Sequence, residues 1–358
     1  MKRLFRDTFQ DKKILVTGHT GFIGSWLSIW LNELGAKVIG YALPPYTNND
    51  NFVVTNLQEK IEHHIGDIRD YHKLNSVFKK YNPEIIFHLA AQSLVRKSYF
   101  MPKETYDVNV GGTVNVFEAF KNNNISRVLI NITTDKCYEN RECIEGYNEN
   151  DRLGGYDPYS SSKACSELIT SAYRDSFFKS FISETQKIVT TVRSGNIIGG
   201  GDWQEDRLIP DCMKAIMKNQ DIIIRNPNSI RPWQYVLEPI RGYFLLAGHL
   251  LDGNEKFSGA WNFGSGNNFV YSVKEIVEKI IQTLGKGSYT TQSSQESNNL
   301  HETKVLLLDC RKSKKLLKWN PIMNIDDMIE FVCEWYSEVN INYDFDVNQI
   351  NKYLKNCE

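Results

Sequence analysis

Between residues 12 and 195 short apolar runs alternate with stretches of helical spacing. Lys12–Thr17, "KKILVT", is β-branched and predicts a strand; Gly21–Leu34 has helical spacing and stops at Gly35. Val38–Leu43 predicts a second strand, ended by Pro44 and Pro45. Ile61–Ile65 and the helical "YHKLNSVFKKY" follow. "EIIFHLAA" then predicts a strand, the region near Glu104–Lys121 a helix and "RVLINIT" a strand. "PYSSSKACSELITSAYRDSF" and "KIVTTVRSG" predict one more helix and strand. Near-continuous apolar strands separated by helices imply a parallel sheet covered on both faces.

Right-handed crossovers make such a sheet doubly wound, with ligands beyond the carboxyl ends of its strands. The fold class is therefore α/β, a Rossmann-type sheet, with a smaller mixed α/β lobe after it. Beyond Gly199 the alternation degrades. "RLIPDCMKAIMKNQ", "LEPIRGYFLLAGHLL" and "SVKEIVEKIIQTLG" predict helices; "DIIIRN" and "AWNFGSG" predict short strands. Gly287–His301 is rich in Ser, Gln and Asn and reads as a mobile loop. Two helices, near Cys310–Leu317 and Ile325–Ser337, are expected to close the chain. The expected division is a dinucleotide-binding part over about residues 1–198 and a substrate lobe, interleaved with it, over about 199–358.

Composition narrows the classes. The 358 residues suggest about two domains. A net charge of −1 argues against general affinity for nucleic acid or an anionic membrane. No apolar run approaches the roughly 20 residues that span a bilayer, and the first residues lack a signal-peptide pattern. Seven cysteines without a C-x-x-C spacing point to reduced thiols and a cytoplasmic protein, with no metal site. His63 and His64 are adjacent on a predicted strand, so they face opposite ways and cannot grip one ion.

"VTGHTGFIGS" sets Gly18, Gly21 and Gly24 after a strand and at the opening of a helix. Glycines there let the backbone approach a diphosphate, whose charge meets N–H groups at the helix N-terminus. Thr20, Phe22 and Ile23 are expected to face it. The acid that usually ends the second strand and binds the adenosine ribose is missing, since "YALPP" carries none before Asp50. No arginine stands there to prefer a 2′-phosphate, which keeps NAD ahead of NADP. Asp67 is a candidate for the adenine edge or for the cap of the next helix. Ile68 and Leu89, Ala90 and Ala91 complete the expected cofactor set.

Tyr159 and Lys163 are four apart on one predicted helix and share a face. An ammonium and a positive nicotinamide beside a phenol favour phenolate, which lowers its pKa and suits proton abstraction from a hydroxyl during hydride transfer. Thr134, at the end of the preceding strand, can bond the same hydroxyl. Asp135 and Lys136 follow it directly.

Together these residues resemble the extended branch of the short-chain dehydrogenase/reductase family, over about Lys12–Trp319. "TTDKCYEN", "LGGYDPYSSSKACSEL", "VRSGNIIGGGDW" and "IRPWQYVLEP" look closest to its 4,6-dehydratases of CDP-linked glucose. The missing ribose acid also fits that subgroup. The resemblance implies oxidation at C4, loss of water across C5–C6 and reduction at C6, with NAD recycled. It gives Asp135 and Lys136 the elimination. Related dTDP-sugar dehydratases carry Asp–Glu at this point, so a lysine stands where a carboxylate base is expected. Lys136 either becomes a base through burial beside Lys163 and NAD, or stays charged and steadies the enolate while Glu139 or water takes the proton. Substrate contacts implied by the resemblance are Ser93, Arg96, Asn196, Leu208, Ile209 and Arg231, the last as a diphosphate clamp. It also implies a homodimer or homotetramer built on the helices near Glu104–Lys121 and Pro158–Phe178. A 4-epimerase on the same scaffold would need Tyr159 and Lys163 but not Asp135–Lys136. An NAD-binding regulatory module would need neither pair.

Overall fold

A computed structural model describes residues 2–179, 186–265, 270–291 and 305–356. Its centre is a seven-stranded, all-parallel sheet. Six strands come in chain order: β1 (Lys13–Thr17), β2 (Lys37–Ala42), β3 (Glu62–Ile65), β4 (Ile85–His88), β5 (Val128–Ile132) and β6 (Ile188–Arg193). The spatial order is β3-β2-β1-β4-β5-β6, and Gly259–Asn262 adds the last strand beside β6. The order reverses at β1, which puts the switch point above its carboxyl end.

Period-two alternation sends neighbouring side chains into separate cores. Ile14 and Val16 of β1 join one cluster with Ile85, Phe87, Val128 and Ile130. Leu15 joins the other with Ile39, Ile86, Leu129 and Val189. Helices Tyr71–Tyr81 and Thr113–Lys121 cover the second face through Leu74, Phe78, Val116 and Phe120. Trp26 and Trp30, of helix Phe22–Glu33, join the first cluster together with Phe244. That helix ends before Gly35, whose φ of 82° lets the chain turn back into β2.

The strand Gly259–Asn262 and the helix Leu237–Leu251 come from beyond residue 199; the strand extends the main sheet and Phe244 of the helix packs beneath it. A four-residue strand carries no signal of which sheet it joins. Other elements differ from the expectation. Residues Pro102–Lys121 form the expected helix with a wider π-turn over Asp107–Gly112. Helix Lys2–Phe9 was unforeseen, because charges interrupt its apolar residues; Phe5 and Phe9 nevertheless pack on Phe244. A further helix, Tyr343–Lys355, follows Ile325–Ser337, so that element does not close the chain. Within the expected mobile loop, Tyr289–Thr291 forms a strand paired with Ile222–Ile224, and residues 292–301 lie outside the described residues. The two histidines do face apart: His63 meets His19 at 2.7 Å and His64 meets the Tyr81 hydroxyl at 2.9 Å.

Glu238 ties the C-terminal segments to the core. Its fully buried carboxylate accepts the backbone N–H groups of Ile322 and Met323 at 2.7 and 2.8 Å and the Tyr353 hydroxyl at 3.0 Å. Arg241 lies 3.5 Å from it. Glu238→Ala takes the carboxylate from a buried guanidinium and strands two amides, a loss of about 3–5 kcal/mol. Urea unfolding should show that loss, and Glu238→Gln, which keeps one acceptor, should lose less.

Candidate active site

The site is a cleft of about 1930 Å³ along the carboxyl ends of the strands. The loop between β1 and helix Phe22–Glu33 forms one end. Gly18 has φ 80°, and a Cβ there would lie 2.8 Å from the Ala90 nitrogen. A Cβ on Gly24 would lie 2.2 Å from the Gly18 carbonyl oxygen. These two glycines bring loop, helix and β4 into contact. Gly21 is different: its nearest neighbour would be 3.4 Å away, and it opens toward the cleft at a helix end that no side chain caps. Uncapped N–H groups at a helix start suit a diphosphate. Thr20 is fixed by its hydroxyl donating to the Leu43 carbonyl at 2.9 Å. Thr20, Phe22, Ile23, Asp67, Ile68 and the Leu89–Ala91 segment all line the cleft.

Asp50, the first acid after β2, is engaged locally. Its carboxylate accepts from the Tyr46 and Thr47 amides and the Thr47 hydroxyl, so it closes its own loop. Asp67 does not cap the next helix; Asp70 does, accepting the Lys73 amide at 3.0 Å. Asp67 instead pairs with Arg69 at 2.6 Å.

Tyr159, Thr134, Asp135 and Lys136 come together in the cleft, the last two as an ion pair. The Thr134 hydroxyl bonds both the Tyr159 phenol and, at 2.9 Å, Asp135 Oδ1. Lys136 Nζ lies 3.5 Å from that same oxygen. Asp135 is fully buried, and its amide donates to the Ser194 carbonyl. Asn196 Nδ2 approaches its other oxygen at 3.5 Å. Gly195 makes this possible, because a Cβ there would sit 1.8 Å from Asp135 Oδ2. Lys136 is one-third exposed and faces the cleft.

Lys163 is fixed at the end of β5. Its ammonium donates to the Ile132 carbonyl at 2.8 Å and burial lowers its pKa to about 8. Burial also pushes the Tyr159 phenol up, to about 12, against the opposing hydrogen bond from Thr134. The phenol is dry and Asp135 stands near it, and both raise its pKa. Glu139 lines the rim, but Arg141 at 2.6 Å and Arg152 at 3.4 Å engage it, and Arg141 holds it below the usual carboxylate range. That makes it a weak proton acceptor.

Ser93 accepts a hydrogen bond from Arg207 at 3.2 Å, and Arg96 lies 3.6 Å from Asp206. Leu208 begins helix Leu208–Met217 and Ile209 is buried behind it. Arg231 is in the short strand Ile230–Pro232, with one N–H on the Ile230 carbonyl. All of these line the same cleft.

Sequence reading missed the support beneath. Glu167 is four residues past Lys163 and eight past Tyr159, so a signal was present in the spacing. Its carboxylate takes Arg193 Nη2 at 2.7 Å, the Thr191 hydroxyl at 2.7 Å and the Thr133 hydroxyl. Arg207 was missed too, since nothing in its neighbourhood marks a cleft residue.

The family described as GDP-mannose 4,6-dehydratase matches residues 15–332. The chain belongs to that family. Within or near it, a Salmonella typhimurium protein described as CDP-glucose 4,6-dehydratase is 47% identical over 92% of both chains. A Halalkalibacterium halodurans UDP-glucose 4-epimerase is 24% identical, over 91% of this chain and 96% of its own. Among solved structures, the Bacillus anthracis dTDP-glucose 4,6-dehydratase in complex with NAD superposes with a TM-score of 0.73 at 24% identity, over 91% of this chain and 96% of that one. The Methanothermobacter thermautotrophicus epimerase Mth375 gives 0.78 at 22%, over 97% of each.

The glycine contacts yield a test. Gly24→Ala must displace the Gly18 carbonyl, so thermal melts should show lower stability and no shift on adding a dinucleotide. Gly21→Ala should keep the melting temperature within about 2 °C and lose only the ligand-induced shift.

Proposed function

We propose that this chain is a CDP-glucose 4,6-dehydratase, converting CDP-D-glucose to CDP-4-keto-6-deoxy-D-glucose and water. The observation that carries the reading is the continuous chain Tyr159–Thr134–Asp135–Lys136, which joins a redox base to an elimination pair. The 47%-identical relative of that name supports the choice of sugar nucleotide. The glycine cradle, the uncapped helix and the absent ribose cation support NAD as cofactor. When bound, NAD would accept hydride from C4 and return it to C6.

The rest falls to side chains of this chain. Gly18, Thr20, Gly21, Phe22, Ile23 and Gly24 hold the diphosphate of the cofactor. Asp67 and Ile68 border its adenine, and Leu89–Ala91 its inner face. Tyr159 removes the O4 proton, steadied by Thr134, while Lys163 adds positive charge nearby. The new 4-ketone acidifies C5. Asp135 protonates the departing C6 hydroxyl, and Lys136 serves the C5 side. Their 3.5 Å contact places the two groups of the elimination side by side in the cleft. Arg231 and Asn196 grip the substrate, with Ser93 and Arg96 at its sugar and Leu208 and Ile209 at its base.

Among the described residues no helix is long and apolar enough to cross a membrane. The free thiols there suit a reducing compartment, which favours the cytoplasm. Exposed Leu168 and Phe177, on Pro158–Tyr173 and the π-turn that extends it, favour pairing of two copies as a homodimer or within a homotetramer.

Incubation with CDP-glucose should give the base-induced absorbance of a 4-keto sugar. The same absorbance from dTDP- or UDP-glucose but none from CDP-glucose would overturn the substrate. Asp135→Asn and Lys136→Met should slow turnover about 10²–10⁴-fold. Both should still reduce bound NAD on mixing, as a burst near 340 nm, because oxidation at C4 precedes their step. Tyr159→Phe should lose the burst as well.

The pH profile follows from the two shifted groups. Phenolate rises tenfold per pH unit below about 12, so kcat/KM should climb through neutrality. Lys163 is charged below about 8 and loses its proton above, so the climb should bend downward there. A bend that persists in Lys163→Met would belong to another group.

A further inference from the structure

The second face of the sheet changes character at its last row. Leu15, Ile86 and Leu129 lie in the apolar core on that face. Two residues further along the same strands come Thr17, His88 and Asn131, aligned across β1, β4 and β5. All three are at most 2% exposed. A buried polar row is unfavourable unless its groups are paired, and here the pairing has a direction.

The Ala90 amide donates to Thr17 Oγ1 at 3.3 Å, and Thr17 Oγ1 lies 2.8 Å from His88 Nδ1. His88 Nε2 lies 3.2 Å from Thr113 Oγ1. The Thr113 hydroxyl donates to the Asn109 carbonyl at 2.6 Å, so its proton is used there. Toward the imidazole Thr113 is then an acceptor. That puts the ring proton on Nε2 and leaves Nδ1 to accept from Thr17. Burial, and after it the charge of Lys163, lower the His88 pKa to about 3, so the ring stays neutral. Thr113 Oγ1 is also 3.2 Å from Ser166 Oγ, and Asn131 Nδ2 donates to Ser166 at 2.9 Å. Ser166 is on helix Pro158–Tyr173, on the same stripe as Tyr159 and Lys163. A second tie runs beside the first: Asn109, in the π-turn, accepts the Gln92 amide at 2.8 Å and donates to Ser162 Oγ at 2.9 Å.

We propose that His88 is a positioning residue for hydride transfer, fixing the Leu89–Ala91 segment relative to the helix that carries Tyr159 and Lys163. This rests on the reading above that the segment faces the cofactor and that Tyr159 begins the redox step. His88 acts only through Thr17 and Thr113. Its ring has an acceptor on one edge and a donor on the other, so it can span two hydroxyls. An apolar ring of similar size would fill the same gap without fixing its width. Hydride transfer is sensitive to that width, since an error of about 1 Å can slow a reaction ~10²-fold.

The test uses the full chain with NAD and CDP-glucose and follows the burst near 340 nm. His88→Phe fills the space and breaks both bonds; Thr113→Val keeps the shape of its side chain and cuts the chain at one point. At saturating NAD and sugar, both should slow the burst about 10–100-fold. The double variant should be no slower than His88→Phe, because both changes break one chain. Thr113→Ser, which keeps the hydroxyl, should recover most of the rate. Parental bursts at saturation in His88→Phe and Thr113→Val, with only lower melting temperatures, would show a purely structural role and overturn the proposal, as would additive losses. The tautomer is read without sugar, from the imidazole nitrogen resonances of the parent compared with His88→Phe. A neutral Nε2–H ring from about pH 6 to about pH 8 is expected. An Nδ1–H ring, or one that titrates in that range, would overturn the chain. The substrate reading fails on its own if the parental burst comes only from dTDP- or UDP-glucose, and the variants are then compared on that sugar.

Discussion

The buried pair Glu167–Arg193 is the constraint on which the site rests. Both side chains are at most 4% exposed, and two guanidinium nitrogens meet the two carboxylate oxygens at 2.9 and 2.7 Å. Burial alone would raise the Glu167 pKa; Arg193 outweighs it and holds the carboxyl below its usual range. The pair joins four segments. Glu167 brings the helix of Tyr159 and Lys163, Thr133 the end of β5, and Thr191 and Arg193 the end of β6. Arg193 also bonds the Tyr138 hydroxyl, which donates to Asn262 of the edge strand. A buried ion pair is weak evidence of net stability against an apolar substitute. Its effect here is registration: the helix can take one rotation relative to the strand ends, and that rotation aims Tyr159 and Lys163 into the cleft.

Close backbone approach is the second constraint, and it acts at both ends of the cleft. Gly18 against Ala90 and Gly24 against Gly18 leave no room for a side chain, and neither does Gly195 against Asp135. The first two draw the dinucleotide loop down onto β4. The third lets Asp135 be buried without losing its partners, since Thr134, Asn196 and the Ser194 carbonyl surround it. Buried carboxylates are tolerable only when hydrogen-bonded in this way.

Much of this was legible in the chain. Apolar runs of four to six residues, each followed by helical spacing, identify a parallel sheet without any knowledge of contacts. The glycine triplet and Tyr159–Lys163 are local patterns, and local patterns survive reading one residue at a time. What escaped is what depends on distant partners. Gly259–Asn262 could have paired with any sheet; Arg193 had no visible mate until Glu167 was placed 2.7 Å from it. Lys163 was expected to act on Tyr159, but its ammonium is satisfied by the Ile132 carbonyl, a backbone atom that no sequence pattern marks. The upward shift of Tyr159 comes from desolvation, which is a property of the whole fold.

The division of burial within the site bears on how one scaffold hosts different chemistries. Tyr159, Thr134, Lys163 and Asp135 are all at most 8% exposed and knit into the sheet ends. Replacing any of them disturbs groups that have no water to turn to. Lys136 is one-third exposed, and of those groups Asp135 is the one its ammonium meets in an ion pair, at 3.5 Å. A side chain at that position can be exchanged at small cost to the fold, because water supplies what the partner loses. On the proposed reading Lys136 is also the group that deals with the C5 proton. The step that separates elimination from simple inversion at C4 is thus assigned to the rim of the site. On the same reading the groups proposed for the redox steps lie buried beneath it.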